Sequence, residues 1–417
     1  VAERSRSIPA RAVRGRFLRP HADARTFDDL PDALLESDED GRIVRFGPAP
    51  EGCAVPETLP GTVWMPGFVD AHVHFPQTRV IGRSSGGLLT WLEETVFPEE
   101  VRFERAAYAE EVAAEFCRAL ITQGTTTAAV YGSSHPLATS KLFAALDRSN
   151  LRAMAGLTLM DRGAPAALCL PAERALLACE ALIEQWHGHD EDRLRFCVTP
   201  RFALSCTPEL LRGAAKLAER VGLPIQTHLA ETVDEVAAVA AAFPGHRSYL
   251  DVYASFGLVG RDTVFGHCIH LDARDWDTLA ETGAAVAHCP DSNFFLGSGV
   301  MSLADATARG VRVGLGTDVG AGRSFSLRRT CAAAYDAALL RGARVGADEV
   351  LWLATVGGAR ALGLGEVVGR LEPGFSCDLA AHEVPTGLDT AALYDHLAFR
   401  AEVGTVRNLY VRGRRAV

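Results

Sequence analysis

Short apolar runs of strand character alternate with longer stretches of helical period through the middle of the chain. The runs are VWMPGFVDAHVHF, GTTTAAVYG, LRAMAGLTLMD, LRFCVTPRF, LPIQTHLAE, TVFGHCIHL, AAVAHCP and RVGLGTDV, each rich in Val, Ala, Leu or Thr. Between most of them lie amphipathic stretches, such as residues 104–122, 208–220 and 232–242, with apolar residues recurring at helical spacing. Strand, helix, strand, repeated, predicts parallel strands joined by right-handed crossovers. Eight such strands predict an α/β fold of the TIM-like (β/α)8 barrel type. The two ends read differently. RAVRGRFLRP and GRIVRFGP near the N-terminus, and LEPGFSCDLAAHEV and TVRNLYVRGRRAV near the C-terminus, are short alternating runs punctuated by Gly and Pro. They predict a small β-sandwich domain formed from both termini, residues 1–64 and 366–417, beside a barrel over residues 65–365.

Composition narrows the function without changing this architecture. At 417 residues the chain can bury a sizeable core, and its 39 glycines and 20 prolines are spread rather than gathered into a linker. A formal charge of -10 and a pI near 5.7 argue against a nucleic-acid partner, which calls for a basic stripe, and fit a small-molecule substrate. The N-terminal VAERSRSIPARAVRGRF carries arginines but no apolar core of a signal peptide follows, and no run of 18 apolar residues occurs. A cytoplasmic protein without a membrane partner is expected. The ten cysteines are unpatterned and mostly within apolar runs, which predicts reduced core residues. No C-x-x-C pair occurs, so a thiolate zinc site is not expected, nor is the deaminase fold that uses one.

The chemistry gathers where the strands end. His72 and His74, His228, His267 and Asp318 each close a strand-like run, and parallel strands would bring their C-terminal ends to one mouth. His72 and His74 have strand spacing, so both imidazoles project from one face. Two nitrogens from them, a third from His228 and an oxygen from Asp318 would hold zinc and leave room for water. The only lysines, Lys141 and Lys216, fall in helix-like runs. Neither is placed to bridge a second metal, so one zinc ion per chain is expected. Such an ion brings the pKa of a bound water to about 7. Glu231, three residues after His228, is the candidate proton carrier. His267 reads either as a further ligand or as an imidazole that orients the water, and the second is favoured because three His and one Asp already satisfy zinc. His288 divides between support and a direct role, and His270 reads as a loop residue.

The segments P-G-F-V-D-A-H-V-H, T-H-L-A-E, A-H-C-P-D-S-N and G-L-G-T-D resemble the amidohydrolase superfamily in its mononuclear deaminase branch, over nearly the whole chain. Within that branch HFPQTRVIG, LLTWLEETVFPEE, TTTAAVYGSSHP, LMDRGAP and VTPRFALSCTPELL are similar to the guanine deaminases. The resemblance implies zinc on His72, His74, His228 and Asp318, proton transfer by Glu231 with Asp318 and His267, and a purine held by Gln77, Arg201, Phe202 and His228. Gln77 offers an acceptor and donors to a polar purine edge, Arg201 can donate to a ring carbonyl, and Phe202 supplies a wall. The implied reaction is hydrolytic deamination of guanine to xanthine and ammonia, and the implied assembly a homodimer. Two segments depart from the family pattern. Glu94-Thr95-Val96 stands where a tyrosine-threonine pair is usual, a change expected to alter the pocket wall where that loop closes over substrate, and the C-terminal CDLAAHEVP is altered and expected to touch only the small domain. The same metal chemistry on another aminopurine, a pterin, a triazine or a cytosine analogue is the alternative. A non-catalytic scaffold would have lost ligands, and none is lost; a nucleic-acid deaminase conflicts with the acidity.

Overall fold

In the computed structural model, residues 11–53, 55, 58–84, 86–400 and 406–417 are described. The arginine-bearing segment before residue 11 lies outside them. The chain begins with β1 (Arg11–Pro20), β2 (Phe27–Ser37), β3 (Ile43–Pro48) and β4 (Thr62–Pro66). Next come β5 (Phe68–His74), β6 (Thr125–Tyr131), β7 (Arg152–Gly156), β8 (Thr158–Leu159), β9 (Leu194–Phe196), β10 (Thr199–Pro200), β11 (Ile225–Leu229), β12 (Thr263–His267), β13 (Ala285–His288) and β14 (Arg312–Leu315). It ends with β15 (Leu379–Glu383), β16 (Val406–Val411) and β17 (Arg414–Arg415).

The barrel is assembled from β5 to β14. Parallel ladders run in the orders β5-β6-β7-β9 and β11-β12-β13-β14, with β8 and β10 paired in parallel between them and a bridge from Val198 to Ile225. The ring closes where the Asp318 N–H donates to the His72 carbonyl at 2.8 Å and the His74 N–H to the Val319 carbonyl at 3.1 Å. Every residue of β5 and β6 is buried, as continuous apolar runs in a sheet covered on both faces must be. The interior is filled by small or slender side chains, among them Val69, Ala71, Ala129, Met154, Cys197, Val264 and Ala287. It is a packed core, and chemistry is left to its rim.

The predicted helices form with recognisable ends. Pro208–Val221 starts on Thr207, whose hydroxyl accepts from the Leu210 N–H, and stops at Gly222 with φ 78°. Val233–Ala242 starts on a reciprocal box in which Thr232 and Glu235 accept from each other's N–H. All ten cysteines are free, and among the described residues no helix is long and apolar enough to cross a membrane.

The two termini meet in one mixed sheet, ordered β17-β16-β15-β4-β1-β2-β3, whose core holds Val13, Phe17, Leu35, Trp64, Leu379 and Tyr410. Here the structure refines the reading. The first strand-like run is two strands broken at Gly67: β4 pairs in the terminal sheet and β5 in the barrel. A Cβ on Gly67 would lie 2.1 Å from Thr126 Cγ2, so only glycine lets the chain cross at this point. β2 was not predicted because Pro31 interrupts it, yet it pairs with β1 across a bulge beside that proline. The altered segment at β15 does more than line the small sheet: Asp378 accepts from Arg152 of β7 at 3.0 Å, so it also grips the barrel.

Candidate active site

The first and last barrel strands fix the centre of the site. Asp70 Oδ1 accepts the backbone N–H of His72 at 3.2 Å and that of Thr317 at 3.0 Å, while Oδ2 accepts the Thr317 hydroxyl at 2.5 Å. Burial pushes its carboxyl up to about 6. The imidazole of His72 fits because two neighbours have no side chain: a Cβ on Gly266 would lie 2.7 Å from the ring, and one on Gly316 2.6 Å from its Cβ.

Three imidazoles and a carboxylate then converge. His74 Nε2 lies 3.1 Å from His72 Nε2 and 3.1 Å from His228 Nε2, and Asp318 Oδ1 lies 3.3 Å from the first and 3.2 Å from the second of the β5 pair. His228 Nδ1 donates to the Arg201 carbonyl at 2.6 Å, which leaves its Nε2 a lone pair. Burial drives the His74 imidazole down to about 3, and burial with the neighbouring imidazoles drives His228 well below its usual range. Burial opposes the charge of Asp318, but its His72 and His74 partners outweigh it and hold the group well below the carboxylate range. Facing lone pairs cannot satisfy one another. A shared cation satisfies all of them, and nitrogen donors with one carboxylate oxygen suit a transition metal such as zinc.

His267 stands beside this set. Ligand atoms of His72, His228, His267 and Asp318 lie within 4.8 Å of one another. Its Nδ1 is hydrogen-bonded to Asn293 Oδ1 at 2.9 Å, and its Nε2, buried without a hydrogen bond, lies 3.4 Å from Glu231 and 3.8 Å from Asp318. Geometry therefore allows His267 both expected roles. Glu231 accepts from the Ser298 hydroxyl at 2.9 Å, and burial with the charge of Asp318 pushes its carboxyl up to about 8. Burial thus favours the protonated form of Glu231 beside an Asp318 carboxyl that its imidazole partners favour as the ion. His288 lies apart: both ring nitrogens are buried without hydrogen bonds, burial lowers it to about 3, and it does not line the cavity. His270 is a loop residue bonded to the Ser298 carbonyl.

Above these groups opens a cavity of about 400 Å³. His74, His228, Glu231, His267 and Asp318 line its floor; Leu88, Trp91, Leu92, Phe202, Leu296 and Ala321 supply apolar walls. Gln77 is buried with Oε1 accepting the Gly320 N–H at 2.9 Å, which leaves its amide nitrogen as the group it can offer. Arg201, also buried, pairs with Glu100 at 2.6 Å, and its guanidinium stands 5.4 Å from the Phe97 ring centre. Every residue singled out for metal, proton transfer or substrate thus meets in one place except His288. Sequence reasoning passed over Asp70, Glu100, Glu235, Asn293 and Ser298. The T-x-x-E spacing of Thr232 and Glu235 carries a helix-start signal that could have drawn attention to Glu235; nothing in the local pattern marks Glu100 or Ser298.

A profile of the amidohydrolase family matches residues 63–416. The guanine deaminase of Escherichia coli is 39% identical over 96% of this chain and 95% of its own length. A probable guanine deaminase of Deinococcus radiodurans is 41% identical over 85% of this chain and 81% of its own. Among solved structures, the guanine deaminase of C. acetobutylicum with guanine bound in its active site superposes with a TM-score of 0.91, at 28% identity, covering 97% of this chain and 99% of that one.

Proposed function

The chain belongs to the amidohydrolase family, and from that premise we propose that it hydrolyses guanine to xanthine and ammonia with one zinc ion per chain. The observation that carries the reading is the meeting, at one cavity, of a lone-pair cluster (His72, His74, His228, Asp318) with the buried Glu231 carboxyl, beside Gln77 and Arg201. Relatives of like sequence that carry the guanine deaminase name, and a structural neighbour with guanine bound, support the substrate.

His72, His74, His228 and Asp318 would hold the zinc ion, which would supply Lewis acidity and lower the pKa of a water at the site. The rest falls to the chain. Gln77 and Arg201 hold the polar edge of the purine, and Phe202 and Trp91 give its faces apolar walls. Glu231 gives its proton to the ring nitrogen beside C2, which makes that carbon electrophilic. Asp318, kept as a carboxylate, accepts the proton of the attacking water, with His267 Nε2 orienting both groups. The exocyclic amine takes up the proton that Asp318 received and leaves as ammonia as its bond to C2 breaks, while the C2 hydroxyl gives its proton back to Glu231 as the carbonyl forms, so one water is consumed for each ammonia released and both carboxyls are restored. The two helical lysines, Lys141 bound to Glu110 at 2.9 Å and Lys216 within Pro208–Val221, support a single ion.

A homodimer and a cytoplasmic setting belong to the same proposal, and light scattering on the purified protein checks the first. The reaction is tested by absorbance assays of zinc-loaded protein with guanine, adenine, cytosine, 8-oxoguanine and a pterin. Turnover confined to a non-purine overturns the substrate, and no hydrolysis of any of them overturns the reaction.

A further inference from the structure

We propose that Glu235 is a positioning residue for Glu231, fixing the backbone from which the proton-carrying carboxyl projects. The inference rests on the proposed role of Glu231. A helix-capping glutamate needs one partner, the N–H of its own cap residue, and Glu235 has that bond to Thr232 at 3.3 Å. Its shorter bond goes elsewhere: the same Oε2 accepts the N–H of Glu231 at 2.8 Å. Capping does not require this second bond, which reaches one residue upstream into the turn between β11 and the helix Val233–Ala242.

That turn needs a tie. Ala230 has φ 51°, a left-handed conformation that costs a residue with a Cβ about 1–2 kcal/mol. The carbonyl of the peptide linking Ala230 to Glu231 is held by the Ile269 and His270 N–H groups at 3.1 Å, and Glu235 holds its N–H; without that second tie the peptide can tilt and carry the carboxyl from the point 3.4 Å from His267 Nε2. Glu235 is fully buried, so its acceptor is shielded from bulk water that would compete for the bond. The Ser298 hydroxyl steadies the tip of Glu231 from the other side. Two groups therefore hold the proton carrier, one at its backbone and one at its carboxyl.

The test compares Glu235→Ala, Glu235→Gln and Thr232→Ala in the full-length zinc-loaded protein, with kcat, KM, melting temperature and bound zinc measured for each. Thr232→Ala removes the other half of the cap, since its hydroxyl accepts the Glu235 N–H, and leaves the bond to Glu231 in place. Glu235→Ala is expected to lower kcat about 10²-fold, the effect of a displacement near 1 Å, with zinc retained and KM moved less than about threefold. Glu235→Gln keeps a carbonyl acceptor and recovers most of the loss. Thr232→Ala lowers the melting temperature and spares kcat. Where the alanine variant does not fold, Glu235→Asp replaces it, because its acceptor is drawn back by one methylene. Equal kcat losses in Glu235→Ala and Thr232→Ala reduce Glu235 to a cap and overturn the inference, as does an unchanged kcat in Glu235→Ala. A parallel Glu231→Gln variant separates the two claims: if it keeps full turnover the role of Glu231 fails, whereas if it is inactive and Glu235→Ala is not, only the positioning role fails.

Discussion

Removing Glu100 strands a buried cation. The Arg201 and Glu100 side chains are 4% and 6% exposed and their charged atoms lie 2.6 Å apart. Breaking one partner out of such a pair costs about 3–5 kcal/mol, mostly as the penalty of leaving the other charge unpaired. The Phe97 ring at 5.4 Å and the Met160 sulfur at 3.8 Å are in place already and add nothing on removal of the carboxylate. Arg201 also lines the cavity, where water can reach it, so Glu100→Ala is expected at the lower end, about 3 kcal/mol. With a urea slope near the top of the usual ~1–3 kcal/mol/M, the unfolding midpoint falls by about 1 M. The double variant Glu100→Leu with Arg201→Met removes both charges and recovers most of that stability. In kinetics on guanine, Glu100→Gln is expected to raise KM more than it lowers kcat if Arg201 holds the substrate as proposed, since such a contact serves ground state and transition state alike. A Glu100→Ala cost below about 1 kcal/mol, the range of an exposed pair, or strictly additive single and double variants, refutes the account of Glu100 as the counter-charge of Arg201.

Three further outcomes follow from the site. Glu231→Gln lowers kcat by about 10²–10⁴-fold while atomic absorption finds the bound metal unchanged; normal turnover removes Glu231 from proton transfer. Chelation abolishes turnover and lowers the melting temperature, since an ion at 100 times its Kd stabilises the folded state by about 2.7 kcal/mol; calorimetric traces that coincide with and without metal refute a resident ion. Burial raises the Glu235 carboxyl from 4.5 to about 7, so the folded state binds the extra proton between those values. Its contribution is full below 4.5 and lost as pH rises through 7, by roughly 3 kcal/mol at ~1.4 kcal/mol per unit. The urea midpoint of the parent therefore falls relative to Glu235→Gln over that window, and parallel curves refute the shift.

The barrel was legible because strands buried on both faces must be apolar throughout, as β5 and β6 are, and because the helices between them carry their own start signals at Thr207 and Thr232. The metal cluster was legible for the same reason: a histidine closing a buried strand interrupts an apolar run. What stayed hidden acts across long sequence distances. Glu100 and Arg201 are 101 residues apart, and Ser298 and Glu231 67 apart, with each acidic or hydroxyl residue set in a segment whose local pattern is that of an ordinary surface helix or loop. β2 was hidden by Pro31, which local propensity counts against a strand although a bulge in β1 accommodates it.

One property of the strand ends ties these findings together. Ala230, His267, Cys268 and Asp318 all have positive φ, from 49° to 70°, a conformation costing of order 1–3 kcal/mol for residues other than glycine. Glycine would relieve it, and glycine does stand next to two of these residues, at Gly266 and two before Asp318 at Gly316, where His72 needs the space. His267 and Asp318 cannot become glycine because their side chains are what the turn presents to the cavity. The cost is offset by the turns holding one another: the Leu229 carbonyl accepts the Cys268 N–H at 2.9 Å, and the Ala230 carbonyl accepts from both Ile269 and His270 at 3.1 Å. The ends of β11 and β12 are thus one interlocked unit, to which Glu235 is bonded through the Glu231 N–H. With these left-handed turns His267 and Asp318 come within 3.8 Å of each other above a close-packed interior of small residues. Scattered residues meet at one cavity because the barrel brings these strand ends together and their hydrogen bonds hold the left-handed turns.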